Sequence, residues 1–214
     1  MAEVSLVRSG FTLAAIAAVC TALVALTWQA TYERIAANEQ VWLEQSLQPA
    51  LSGLVFDSGV TDSMLTIPAP NDLPGSGDTI VYRVYSGDRP VAALFVVSAR
   101  DGYAGAIRLL IGVDADAAVT GVHVLEHRET PGLGDGIETS KSSWAAQFKG
   151  RSLRDPVAAG WTIKRDGGEF DQLTGASVTP RAVVKAIRDT LVYFEANSAA
   201  VFAATADGQE GVSE

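Results

Sequence analysis

Residues 10–28 read Gly-Phe-Thr-Leu-Ala-Ala-Ile-Ala-Ala-Val-Cys-Thr-Ala-Leu-Val-Ala-Leu-Thr-Trp, without a single charged side chain. As a helix rising 1.5 Å per residue this run spans roughly 28 Å, close to the roughly 30 Å hydrocarbon core of a bilayer. Trp28 and Tyr32 suit an interfacial aromatic belt. A cleaved signal peptide is the rival reading. The run is longer than the apolar region of most signal peptides, and no Ala-x-Ala site follows it. The expectation is therefore a short cytoplasmic N-terminus over residues 1–9 and a retained transmembrane helix over 10–30. Arg8 precedes the span and Arg34 follows it. With the amino terminus counted, the balance places the N-terminus inside and the rest of the chain outside.

The chain has 214 residues, which leaves room for one domain beyond the anchor. Residues 32–55 carry Ile35, Val41, Trp42, Leu47, Leu51 and Leu54 at helical spacing. The Gly, Pro, Asp and Ser of 57–78 read as a loop, so 31–78 forms a helix and connector. Strand patterns follow over 79–85, 91–99, 105–113 and 119–126, with Gly87-Asp88 and Asp101-Gly102 as tight antiparallel turns. A short helix is expected over 142–148, a short strand over 161–164, and a long helix over 180–197. The last has Val183, Val184, Ile187, Leu191 and Phe194 on one face. The sum is an α+β domain over 79–204, a twisted antiparallel sheet with packed helices, preceded by one transmembrane helix and followed by an acidic, disordered tail over 205–214.

A formal charge of −9 argues against nucleic-acid binding, which needs a basic face. The single cysteine, Cys20, lies in the apolar run, so no intrachain disulfide can form. His123 and His127 are the two histidines. On a strand they stand roughly 13 Å apart, too far to share a metal. His123 then belongs at the surface and His127 beside the turn that follows. Trp144, Phe148 and Trp161 serve either as core or as flanks of a flat ligand.

The richest stretch for chemistry is Asp171-Gln-Leu-Thr174-Gly175-Ala176-Ser177-Val-Thr179-Pro180-Arg181. Three hydroxyls surround a Gly-Ala turn just before a helix. Thr179 suits the N-cap and Pro180 the first helical position. Free N–H groups at a helix start attract phosphate, and a neighbouring hydroxyl can donate to a phosphate or become esterified by it. Arg181, a cation in the first turn, opposes the helix dipole unless an anion lies nearby. Read by spacing alone, the stretch is equally a surface loop, a capped helix and a solvated arginine, with Asp171 in an Asx-type turn. The second stretch is His127-Arg-Glu129-Thr130-Pro131-Gly132-Leu133-Gly134, after strand 119–126. Its glycines permit close backbone approach to a flat ligand, Thr130 can donate a hydrogen bond and Leu133 can pack on a ring. An ordinary strand-exit turn has the same composition.

The first stretch resembles the flavinylation motif Asp-x-x-(Ser/Thr)-Gly-Ala-(Thr/Ser), and the second resembles the Glu-Thr-Pro-Gly-Leu-Gly loop of the same domain. Both belong to the FMN-binding domain shared by the G subunit of the Rnf complex and the C subunit of the sodium-pumping NADH:quinone reductase. The Rnf protein is the closer match, from the N-terminal anchor to the last helix. The resemblance implies FMN joined as a phosphodiester to Ser177, with Asp171, Thr174, Gly175, Ala176, Thr179, Arg181, His127, Glu129, Thr130, Pro131, Gly132, Leu133 and Gly134 around it. The family usually has threonine at position 177; serine keeps the hydroxyl, with Thr179 and then Thr174 as fallback acceptors. The resemblance further implies a bacterial inner-membrane location with a periplasmic domain, other Rnf subunits as partners, and a separate FMN transferase for maturation. Electrons would pass between ferredoxin and NAD in the complex as Na⁺ or H⁺ crosses the membrane. The chain would be a relay and not catalytic alone.

Two other classes stay open. A stand-alone membrane flavin reductase would need a nicotinamide site, and the chain has no G-x-G-x-x-G fingerprint. An assembly or binding module would keep the fold without the flavin.

Overall fold

The computed structural model describes residues 10, 13–22, 24, 25, 28 and 63–203. The chain divides into two compact units, Met1–Leu43 and Glu44–Glu214. The described residues of the first are helical and exposed. Thr21 Oγ1 donates to the Ala17 carbonyl at 2.8 Å, satisfying its hydroxyl within the helix. Among the described residues no helix is long and apolar enough to cross a membrane. The remaining positions of the expected span lie outside the described residues. So do the N-terminal residues 1–9, the amphipathic helix of 32–55 and the tail of 205–214.

The second unit is an α+β fold. Five strands form one antiparallel meander in chain order: β1 (Met64–Ile67), β2 (Thr79–Ser86), β3 (Arg89–Ala99), β4 (Ile107–Asp114) and β5 (Val119–Glu126). Their β-branched and aromatic content suits a pleated, buried surface. Gly87, at φ +58°, closes the expected tight turn between β2 and β3. Two expectations need correction. Residues 57–78 are not all loop, because β1 pairs with β2; its four residues lie beside Ser, Asp and Pro, which mask so short a strand. Asp101-Gly102 is not a two-residue turn, because residues 100–106 separate β3 from β4.

Helix α1 (Val178–Phe202) crosses one face of the sheet against β3 and β4. Val183, Ile187, Leu191 and Phe194 are buried there, and Phe194 meets Phe95 edge to face at 6.0 Å. The helix outruns the expected 180–197 at both ends. At its C-terminus the last carbonyls have sheet partners. Arg83 Nη1 donates to the Ala203 carbonyl at 2.8 Å, and the Tyr85 hydroxyl to that of Phe202 at 3.2 Å. Such partners satisfy the acceptors a helix end leaves open.

Between β5 and α1 the chain makes four 3-10 turns: Gly134–Ile137, Trp144–Phe148, Ala158–Gly160 and Lys164–Asp166. The expected helix over 142–148 is the second of these. The expected strand over 161–164 reduces to one bridge, Ile163 with Phe170, because the chain doubles back at Gly168, where a Cβ would stand 2.1 Å from the Thr162 carbonyl oxygen. Trp144, Phe148, Phe170 and Trp161 stack in sequence with centroid spacings of 5.1, 4.9 and 4.7 Å. All four are buried, so the three expected aromatics are core.

Candidate functional site

The site begins where β5 ends. His127 Nδ1 accepts from the Glu129 backbone N–H at 3.0 Å, so Nε2 carries the ring proton and donates to Glu138 Oε1 at 2.8 Å. His127 thus holds the loop from behind and does not line the cavity described below. His123 is half-buried in β5, not at the surface as expected, and burial pushes its imidazole below the usual range. The loop then tightens on Thr130, whose carbonyl accepts from the N–H groups of Leu133 at 3.2 Å and Gly134 at 3.1 Å, with Gly132 at φ +76°.

Glu129 is the node of the site. It is only 4% exposed. Oε1 accepts from the Ala104 N–H at 2.9 Å, which closes the 100–106 loop over it. Oε2 accepts from the hydroxyl of Thr179, itself fully buried in the first turn of α1. A buried carboxylate demands such donors. The packing is close: a Cβ on Gly134 would stand 2.9 Å from both Glu129 Oε2 and Thr179 Oγ1.

These contacts correct the expected cap. Helix α1 starts at Val178 with Ser177 at the N-cap, and Thr179 turns inward because Glu129 offers it a buried acceptor. Ser177 makes no side-chain capping bond. Its Oγ instead accepts from Arg165 Nη1 at 3.1 Å. Arg181 does not await an anion, since its guanidinium grips Asp166 at 2.6 and 3.0 Å. That pair raises the Arg181 pKa and lowers that of Asp166.

The two sequence stretches meet. A Cβ on Gly175, at φ +81°, would stand 3.0 Å from Leu133 Cδ2, and one on Gly136 would stand 3.0 Å from Leu173 Cδ2. Between them lies a cavity of about 360 Å³ lined by Tyr103, Glu129, Thr130, Leu133, Gly134, Gly175, Ala176, Ser177, Val178 and Thr179. Seven of the expected residues besides Ser177 therefore share it with that serine: Glu129, Thr130, Leu133, Gly134, Gly175, Ala176 and Thr179. Asp171, Thr174, Pro131, Gly132, Arg181 and His127 do not line it. Asp171 shapes the turn from outside. Its carboxylate takes Lys164 Nζ at 2.6 Å, its carbonyl takes Trp144 Nε1 at 2.5 Å, and its N–H donates to Gln147 Oε1 at 2.7 Å.

Three contributors escaped the sequence reading. Tyr103 and Val178, 72% and 40% exposed, form an apolar lip with Leu133. Arg165 touches the serine across 12 positions of chain. An aromatic in the 101–105 loop was a usable signal; nothing in the sequence singled out Arg165 from other surface arginines.

Beneath the loop, Glu138 lies 2.7 Å from Lys141 and 2.8 Å from His127. Lys141 first, then His127, hold its carboxyl down from the ordinary 4.5 to about 2. A depressed carboxyl contributes stability that is present above the unfolded value and lost as pH falls through the folded one. Acid denaturation is expected to draw on Glu138 between about pH 4.5 and 2. Glu138→Gln should flatten the fall of Tm in that window and leave its pH dependence near 7 unchanged. An unaltered acid limb would show that the cluster does not couple to folding.

The cavity falls within residues 102–192, which match the FMN-binding domain family, so fold and site together define a protein of the FMN-binding class. Residues 1–49 match a second family, described as the RnfG N-terminal region. The chain is 41% identical over 193 residues to the G subunit of the ion-translocating oxidoreductase complex of Shewanella loihica, covering 90% of this chain and 91% of that protein. It is 44% identical over 193 residues to the corresponding G subunit of Pseudomonas aeruginosa, covering 90% of each. The chain belongs to the family formed by the G subunits of Rnf ion-translocating oxidoreductase complexes. A solved structure, NqrC of Shewanella oneidensis, is similar at a TM-score of 0.43 and 22% identity, covering 65% of this chain and 70% of that one.

Proposed function

We propose that this chain is a membrane-anchored flavoprotein that carries FMN as a phosphodiester on Ser177 and relays electrons within an Rnf-type ion-translocating complex. The observation that carries the reading is the convergence of both sequence stretches on one cavity with Ser177 at its lip, its oxygen free of any capping bond. Thr179 is fully buried and committed to Glu129, and Thr174 lies outside the cavity lining, which favours Ser177 as acceptor. The residues present fit a flavin. Tyr103, Leu133 and Val178 offer apolar surface to a planar ring, and Gly134 and Gly175 let the two turns close against Glu129, Thr179 and Leu133 so that the cavity walls meet.

When bound, the flavin supplies reversible uptake of one or two electrons; the chain supplies position and electrostatics. Attachment joins Ser177 Oγ to the phosphorus of the FMN half of flavin adenine dinucleotide. The bond from that phosphorus to the bridging pyrophosphate oxygen breaks, AMP leaves, and the hydroxyl proton passes to a base outside this chain. A separate FMN transferase is the partner for that step. The other partners are the membrane subunits of the complex. A covalent tether keeps the carrier near them and raises its effective concentration.

Co-expression of the full chain with an FMN transferase tests the reading. The purified protein should absorb in the visible and gain the mass of FMN less water. A colourless protein of unchanged mass would leave an assembly module as its role. Steady NADH oxidation by the isolated, flavin-loaded chain would instead make it a reductase.

We further propose that residues 10–30 are the anchor, with the domain on the periplasmic face of the inner membrane. Carbonate-washed membranes should retain the chain, and protease added to spheroplasts should digest residues beyond the anchor. Full protection would reverse the orientation, and release into the wash would remove the anchor.

A further inference from the structure

Three consecutive charged residues of the 3-10 turn Lys164–Asp166 each reach a different point of the acceptor segment. Lys164 Nζ binds Asp171 Oδ1 at 2.6 Å, Arg165 Nη1 binds Ser177 Oγ at 3.1 Å, and Asp166 binds Arg181 at 2.6 Å. The turn is held in place from below. Ile163, fully buried, precedes it, and Gly167 closes it in the left-handed region at φ +88°, with the Gly168 N–H bonded to the Ile163 carbonyl at 3.1 Å. The chain therefore presents the three side chains in a fixed order along Asp171–Arg181.

Their charges do not balance alike. Lys164 with Asp171 and Asp166 with Arg181 are each a cation on a carboxylate. Arg165 is a cation on a neutral hydroxyl; its charge is felt by the neighbouring Asp166, which Arg181 already holds, and among the described residues no carboxylate lies within 4 Å of it. The turn thus holds one positive charge in excess, directly on the oxygen of Ser177.

Resting on the flavoprotein reading, we propose that Arg165 is the positioning residue of the attachment: it orients the Ser177 hydroxyl and neutralises the phosphodiester monoanion formed there. Its guanidinium donates to Oγ and so leaves the hydroxyl's own hydrogen free to depart. Esterification turns the neutral oxygen into one arm of a singly charged phosphodiester, and the unpaired cation then gains its counter-ion. Arg181, which from its place in the first helical turn would be the natural candidate for this task, is already neutralised by Asp166.

The test uses the full chain in detergent micelles with an FMN transferase and flavin adenine dinucleotide. Attachment is followed by intact mass, and Tm is then measured on the unmodified and fully modified forms at low salt. Arg165→Gln is expected to lower kcat/KM for attachment about tenfold, and Arg165→Lys to recover most of it. Arg165→Gln should lower the Tm of the modified form and leave that of the unmodified form in place, a split that loss of a purely structural contact would not produce. Arg181→Gln should lower both forms equally, through loss of the Asp166 pair. An adduct forming on Arg165→Gln at the wild-type rate, or equal Tm shifts of the two forms in that variant, overturns the inference alone. Absence of any adduct on the wild type overturns the flavoprotein reading, and this inference with it.

Discussion

Replacing Ser177 with alanine is expected to abolish covalent flavin. After co-expression with an FMN transferase, the variant should show the mass of the bare chain, while the wild type should gain FMN less water on the peptide spanning residue 177. The effect is all-or-none, because alanine removes the one oxygen at this position that the ester needs. Folding should be unaffected to within about 0.5 kcal/mol, since Ser177 makes no side-chain capping bond whose loss would weaken the helix. Ser177→Thr should still be modified, as it keeps the hydroxyl and adds a methyl at a half-exposed site. An adduct on Ser177→Ala, mapped to Thr174 or Thr179, would move the attachment point.

The second large effect is expected at Glu129. Alanine there removes the acceptor of two donors, the Ala104 N–H and the fully buried Thr179 hydroxyl. A buried group left without its partner costs about 1–3 kcal/mol; Ala104 lies in an exposed loop whose amide turns to water, so the buried Thr179 hydroxyl sets the expected loss, about 1–3 kcal/mol in urea unfolding. The same substitution unties the 100–106 loop from the start of α1, so Tyr103 loses its place at the cavity lip and attachment should slow as well. Glu129→Gln keeps an acceptor toward one of the two donors and should lose about half as much. A loss under about 0.5 kcal/mol for Glu129→Ala would mean that water replaces the carboxylate and that the node is not structural.

Much of this fold was legible from periodicity. β2 to β5 carry enough β-branched and apolar residues to announce themselves, and the buried face of α1 repeats at helical spacing over several turns. β1 was not legible, since four residues among turn formers carry too little pattern. The stretch between β5 and α1 defeated local reasoning for another reason. Its order comes from an aromatic stack and from single hydrogen bonds between distant positions, such as Trp144 to Asp171, 27 residues apart. The site divides along the same line. The family resemblance picked out Ser177, Glu129, Leu133 and both glycine turns, which converge, whereas spacing alone left each stretch equally an ordinary loop. Local chemistry mistook Arg181 for an anion-seeking cation, because Asp166, 15 positions away in the chain, supplies the anion through the fold. It placed Thr179 at the cap because a threonine before Pro180 looks like one; the buried carboxylate that turns it inward sits 50 positions upstream.

Helix α1 is fastened at both ends. Glu129 takes Thr179 at the start, and Arg83 and Tyr85 take the last carbonyls at the finish. A prosthetic group on Ser177 would therefore hang from a fixed point, beside the apolar lip of Tyr103, Leu133 and Val178. Its reach toward neighbouring redox centres would be set once, by the placement of the helix start, like a lamp on a rigid bracket. Substitutions that loosen the bracket, at Arg83 or Thr179, would then widen the spread of electron-transfer rates.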